Sequence, residues 1–331
     1  MNKRILGAVA LAAAAAMTAA VVAGGNANAR TADTKVTLVA YSTPRDAYGR
    51  IIPEFQKTAK GKDVEFEQSY GASGEQARAV KSGLKADVVA LSLEPDVTTL
   101  VKARLINPNW KNNKYRGIVT RSVVVFVTRR GNPKKIKDWE DLVRKDVEVV
   151  TPNVQTSGGA KWNVMAAYGA MLKKGKTQKQ AVAYLRNLYK HVASQDKSAR
   201  EALQTFLAGR GDVLLAYENE AIFANSKGQE APYVIPKATI RIENPAAILK
   251  TSKNKAAAGR FLNFLRTEKA QRIFGENGYR PVVPSVLKYF KFRVRPGLFT
   301  IKSLGGWAKV DKRFFDPNTG IVTKIQKETG R

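Results

Sequence analysis

The sequence contains no cysteine and a single histidine, His191. Without Cys there can be no disulfide, no thiolate metal site and no Cys nucleophile. One His rules out a His-rich zinc site, and a Ser-His-Asp triad could use that residue alone. Acidic residues are scarce too: 27 Asp and Glu face 57 Lys and Arg, giving a formal charge of +30. After residue 30 no apolar run is long enough to span a bilayer. What is present is 331 residues, 44% hydrophobic and 8% aromatic, enough for two packed domains and too apolar for a disordered chain.

The first 29 residues read as an export signal. Lys3 and Arg4 precede an uncharged, Ala-rich stretch from Ile5 to about Val22, and Ala27-x-Ala29 suits cleavage before Arg30. A single N-terminal anchor is the other reading of a segment this long. Loss of Lys3 and Arg4 lowers the formal charge from +30 to +28. Such a field attracts anions of any size, from a small oxyanion to an acidic wall polymer. No recognition-motif spacing or Arg-rich arm points to nucleic acid.

Beyond Arg30, strand and helix patterns alternate. Strands are expected at Val36–Tyr41, Val64–Tyr70, Ala86–Leu91, Ser122–Thr128, Val147–Val150 and Val213–Tyr217. Helices are expected around Ile51, over Gly74–Leu84, from Pro95, near Asp138–Arg144, over Lys161–Lys173 and Thr177–His191, after Ser198, and over Asn254–Arg266 and Glu268–Asn277. Alternation of this kind predicts an α/β architecture with a mostly parallel sheet covered on both faces. Two lobes joined by extended crossings near residues 118–128 and 234–248 follow from it. His191 reads as a helix C-terminal residue, and Trp139, Trp162 and Trp307 as packing residues.

Three expected helix starts have the character of anion sites, because the first amides of a helix lack internal partners. Thr156-Ser157-Gly158-Gly159-Ala160-Lys161 places two glycines in a first turn, at a cost of about 1 kcal/mol each relative to Ala. Close ligand approach to the amides would compensate; a tight strand-to-helix turn is the plainer reading. Tyr70-Gly71-Ala72-Ser73-Gly74-Glu75-Gln76 fits a capping box between Ser73 and Gln76, and Ser198-Ala199-Arg200-Glu201 fits another.

At Thr151-Pro152-Asn153-Val154-Gln155-Thr156-Ser157-Gly158-Gly159-Ala160-Lys161-Trp162-Asn163 the sequence resembles the periplasmic sulfate-binding proteins of ABC importers. The likeness extends through Gly131–Trp139, Gly71–Val80, Gly211–Ala221 and Gly305–Lys309, so it covers residues 36 to 310. The resemblance implies a type II-like two-lobe periplasmic-binding-protein fold with the ligand cleft between the lobes. It implies a monomer that binds sulfate or thiosulfate without cofactor or catalysis and delivers it to permease subunits. Residues 30–121 and 241–305 would form one lobe and 122–240 the other, with 306–331 a helical segment left unassigned.

By the same resemblance Ser73 offers its amide, Ser157 its amide and hydroxyl, Gly158 and Gly159 their amides, and Ala199 its amide. Tyr217 stands where the family usually has a Trp donor, so it either substitutes as donor or lines the wall. Arg45, Lys161 and Arg200 are the expected supporting charges. Lys161 replaces a usual Arg, Tyr41-Ser42-Thr43-Pro44-Arg45 loses the family's acid, and Ser198 and Glu201 replace flanking glycines. Affinity and the choice between sulfate and thiosulfate do not follow from the pattern.

Other readings remain at this point. The receptor could take molybdate or phosphate. The basic surface could bind an acidic wall polymer. Ser82-x-x-Lys85, Ser252-x-x-Lys255 and Ser285-x-x-Lys288 fit a hydrolase pattern, but no Ser-Asp-Asn, Lys-Thr-Gly or G-x-S-x-G accompanies them.

Overall fold

The structure, a computed structural model, describes residues 34–331. The export signal and cleavage expected in residues 1–29 lie outside the described residues. The chain runs through β1 (Thr34–Tyr41), α1 (Arg45–Gln56), β2 (Val64–Gly71), α2 (Ser73–Lys81), β3 (Val88–Ala90) and α3 (Glu94–Lys102). β1 pairs in parallel with β2 on one side and β3 on the other, so Leu38 lies opposite Gln68 and Val88. Val36, Leu38, Val39 and Ala40 are buried, as a strand covered on both faces requires.

β4 (Ile118–Thr128) leads to β5 (Val149–Pro152), α4 (Gly158–Lys173), α5 (Gln178–Lys190), β6 (Val192–Asp196), α6 (Ala199–Leu207), β7 (Val213–Tyr217) and α7 (Glu218–Ser226). β5 pairs in parallel with both β6 and β7. The helix expected near Asp138–Arg144 is a short 3-10 turn over Trp139–Val143, capped by Asp138. The polar stretch Ser194–Lys197, whose composition is that of a loop, is strand as far as Asp196. It is the last strand of the sheet order and only half buried, so polar side chains cost little there.

The return begins at β8 (Tyr233–Val234) and β9 (Ala238–Ile248), followed by α8 (Lys255–Phe264), α9 (Glu268–Glu276), β10 (Arg280–Pro281) and α10 (Pro284–Leu287). β11 (Gly297–Phe299), α11 (Trp307–Phe315) and α12 (Ile321–Thr329) complete it. The sheet order is β2-β1-β3-β9-β4-β7-β5-β6. Two parallel groups are thus separated by β9 and β4, which run antiparallel to each other and to their outer neighbours. β4 pairs with β9 through Val123 and with β7 from Val124 onward, so one strand serves both groups. A β-branched run declares a strand but not its direction, which is why the sheet is more mixed than the alternation predicts.

The first group packs around aromatic side chains. Phe261 is fully buried, with the rings of Phe66, Phe55 and Tyr48 at 4.7, 5.4 and 6.3 Å. In the second group α4 is buried all round, not on one side as its periodicity suggests. Trp307 and Phe314 of α11 close over it, their rings 4.7 Å from those of Trp162 and Tyr168. The C-terminal segment therefore packs with the second group. Replacing Phe261 with Ala should cost about 3–5 kcal/mol, because rings on three sides cannot collapse into the gap. A urea melt will read this as a lower midpoint.

Candidate functional site

Many helices start within a few residues of a strand end, among them α2 after β2, α4 after β5, α6 after β6 and α7 after β7. Among the described residues, the backbone N–H groups of Ser73, Gly158, Gly159 and Ala199 donate to no protein acceptor. Open amides are what helix starts provide, and here three such starts meet. Gly74 N–H donates to Thr156 O at 2.9 Å, tying the α2 start to the α4 start. A Cβ at Gly159 would lie 3.3 Å from Ala199 Cβ and 3.5 Å from Tyr217 Cε1, which brings in α6 and β7. The six residues expected in the site therefore fall in one place.

Gly158 shows why the first turn carries glycine. A Cβ there would meet Leu93 Cδ2 at 2.0 Å and Ser92 Oγ at 2.6 Å. The segment after β3 rests directly on the α4 backbone, and no side chain fits between them. Gly159 has more room, with its nearest neighbours at ordinary or slightly tight contact.

Ser92 was not anticipated, yet it holds the junction together. Its N–H donates to Ser73 Oγ at 2.8 Å, and its hydroxyl shares a 2.6 Å hydrogen bond with Tyr217 Oη. Its carbonyl accepts from Trp162 Nε1 at 3.0 Å and from Asn244 Nδ2 at 2.9 Å. The available signal was a polar residue between Leu91 and Leu93, just before Pro95: a further strand-to-helix junction. Trp162 is packing residue and hydrogen-bond donor at once.

Of the two expected caps, one differs. Ala72, not Ser73, is the N-cap of α2, and Ser73 Oγ donates to buried Asp96 Oδ2 at 2.5 Å. With its proton given to Asp96, the Ser73 hydroxyl has none left to donate, and the amide is the donor that remains. Ser157 holds the N-cap position of α4 without a capping bond, and its N–H donates to Asn153 O at 2.8 Å. Of the two donors expected from Ser157, the hydroxyl is left. Ser198 does cap α6, accepting from Glu201 N–H at 3.2 Å.

Tyr217 is 1% exposed, and burial holds its hydroxyl well above the usual phenol range. The group is therefore a protonated phenol resting on Ser92. Asp96 is buried at the start of α3, and that burial raises its carboxyl above the ordinary range against the Lys161 charge and the Ser73 hydroxyl.

The supporting charges are paired. Arg200 reaches Glu220 with two hydrogen bonds of 2.7 and 2.9 Å, and touches Asp46 at 3.2 Å and Thr43 O at 3.1 Å. Lys161 Nζ lies 2.9 Å from Asp311. Arg45 does not join them: it is exposed at the start of α1, 5.8 Å over the Tyr70 ring. In two of the three Ser-x-x-Lys patterns the serine is engaged by an acid: Ser252 Oγ donates to Asp87 at 2.5 Å and Ser285 Oγ to Glu268 at 3.1 Å.

The bacterial extracellular solute-binding protein family matches residues 36–280. The sulfate-binding protein of Synechococcus elongatus is 42% identical, over 98% of this chain and 97% of that one. The thiosulfate-binding protein of Pseudomonas aeruginosa is 33% identical, over 84% and 88%. Among solved structures, the sulfate-binding protein SubI from Mycobacterium tuberculosis H37Rv is 43% identical with a TM-score of 0.83, covering 86% of this chain and all of that one.

The raised Asp96 carboxyl has a direction that can be measured. Between the ordinary carboxylate pKa of about 3.9 and its higher folded value, the native state holds more proton than the unfolded chain. Its contribution to stability therefore falls as pH rises through that window. Asp96→Asn keeps the acceptor for Ser73 and removes the charge. It should raise the urea midpoint at pH 7 and raise it less at pH 4.5.

Proposed function

The chain belongs to the family of bacterial extracellular solute-binding proteins, and from that membership we propose that it is the sulfate receptor of an ABC importer, working outside the cytoplasmic membrane in the periplasm or envelope space. The observation that carries the reading is the set of partnerless helix amides at Ser73, Gly158, Gly159 and Ala199. Sulfate at neutral pH has two charges and no proton, so it needs donors and nothing else. The Ser157 hydroxyl joins the amides, and Tyr217 acts through Ser92. Three helix starts add about half a positive charge each. Thiosulfate, with the same charge, is the second ligand.

Hydrogen phosphate brings an O–H that a donor-only pocket leaves unpaired, at a cost of about 1–3 kcal/mol. That corresponds to roughly 5- to 150-fold in affinity. The surplus of positive charge speeds capture but does not select among anions. No step of bond making is needed, and the protein acts as a carrier.

We place residues 30–121 and 241–305 in one lobe and 122–240 in the other, and the packing of α11 on α4 supports adding 306–331 to the second. Arg200 then bridges the lobes, with Glu220 on one side and Asp46 and Thr43 on the other. Closure around the anion would present the joined surface to the permease. No described helix is long and apolar enough to cross a membrane.

Calorimetric titration of ligand-stripped residues 30–331 in low-salt chloride tests the reading. Sulfate should bind one to one, thiosulfate measurably, and phosphate at pH 8 at least about fivefold more weakly. Silence toward sulfate would overturn it. Gly158→Ala should weaken sulfate binding by about tenfold or more, because the new methyl displaces the Ser92–Leu93 segment. A wild-type affinity in that variant would remove Gly158 from the site.

A further inference from the structure

The two long strands β4 and β9 carry a second cluster on the face opposite Asn244. Side chains alternate along a strand, so Arg241 and Glu243 point away from the side on which Asn244 holds Ser92. Arg121 of β4 lies opposite Glu243 in register and beside Arg280 of β10, while Arg241 faces Val123. Like charges on adjacent strands are unfavourable neighbours. Arg280 is answered by Glu218, at 2.7 and 3.1 Å. Arg121 and Arg241 share one acid: Arg241 Nη2 donates to Glu243 at 2.8 Å, and Arg121 Nε is 4.0 Å from the same oxygen. The Nε–H groups of both Arg121 and Arg241 are buried and find no protein acceptor. Burial and the neighbouring Arg241 lower the pKa of Arg121, so this cation sits where positive charge is already in excess.

These arginines line a cavity of about 220 Å³, with Phe290, Phe292 and Val294 on its other wall. The wall belongs to an unusual stretch. Residues 277–310 contain seven Lys and Arg and no acid. Within it Phe290, Phe292 and Val294 alternate with Lys291, Arg293 and Arg295. The two rings turn partly inward while Lys291 and Arg293 face solvent, and Arg280 lies 5.2 Å over the Phe292 ring. Val294, at the rim, is 70% exposed.

We propose that this cavity is a second anion site, which takes an organic anion: a carboxylate or phosphate monoester carried on a compact apolar body. The head meets Arg121 and Arg241, and the body lies on Phe290, Phe292 and Val294. Inorganic sulfate suits it poorly. Oxygens turned toward the phenyl wall would have no donors, and Glu243 repels a second charge. The volume is below the roughly 300–1,000 Å³ of pockets for drug-sized ligands, so the body is short.

Hexanoate, butyl phosphate and inorganic phosphate are titrated calorimetrically into residues 30–331, with and without saturating sulfate, so that each site reads separately. Hexanoate and butyl phosphate should saturate at one equivalent in both conditions, and inorganic phosphate should bind about tenfold more weakly with sulfate present. Arg121→Gln and Arg241→Gln should each weaken both organic anions about tenfold. Sulfate affinity should stay within about twofold in these variants, which also shows that they fold. Phe292→Ala should weaken hexanoate and leave inorganic phosphate alone. The proposal is overturned by no saturable binding of either organic anion up to about 10 mM. It is equally overturned by binding that both arginine variants retain, or by phosphate binding as tightly as butyl phosphate.

Discussion

Every polar group of Ser92 is committed to a different part of the chain: its amide to Ser73, its hydroxyl to Tyr217, its carbonyl to Trp162 and Asn244. These partners come from α2, β7, α4 and β9, which no local rule would bring together. Burial makes the arrangement exacting, since Ser92 is 1% exposed and any group left unpaired would cost about 1–3 kcal/mol. The Gly158 backbone rests on the same residue with no room for a methyl. The spacing of the α2 and α4 starts, and hence of their open amides, is set by this one junction.

A second constraint keeps formal charge off the amides. Arg200 is taken by Glu220 and Asp46, and Lys161 by Asp311. Both cations are oriented by carboxylates, which in the site proposed above leaves the backbone to face the anion. Fixed dipoles do not need to reorganise when an anion arrives, whereas a free lysine must be desolvated and ordered. The large net positive charge is thereby separated from the chemistry of selection. Asp96 follows the same logic from the opposite sign: its carboxyl is buried behind Ser73, and its raised pKa reflects the cost of charge there.

Much of this was legible in the residues. The strand–helix alternation predicted the strands of the first parallel group and, in the second, β5 and β7 but not β6, and Thr156–Lys161 marked the α4 start through two glycines where helices avoid them. Local patterns misled where a tertiary partner outcompeted them. Ser73 and Gln76 have capping-box spacing, but Asp96, 23 residues on, takes the serine hydroxyl instead. The Ser194–Asp196 segment looks like a loop because an outer strand needs no apolar face. Arg45 belongs to the recognised pattern, yet the start of α1 turns it to solvent. Ser92 stayed hidden because its importance lies in four long-range bonds, none of which leaves a trace in neighbouring residues.

Those bonds also explain how a tyrosine can stand at a position where a pure donor is wanted. An indole N–H donates and cannot accept, whereas a phenol does both. Exposed to the ligand, the Tyr217 oxygen would offer an acceptor and weaken discrimination against a protonated anion. Here the hydroxyl is paired with that of Ser92 at 2.6 Å, and either can be the donor. Two hydroxyls carry two protons, and their mutual bond uses one. Whichever way that bond points, one proton remains for a third partner. The Ser92 amide and carbonyl are engaged elsewhere, so the pair has one hydroxyl proton to give while acceptor lone pairs remain on both oxygens. In the sulfate site proposed above, that proton is what the pair has to offer the anion, and the two residues must be read together.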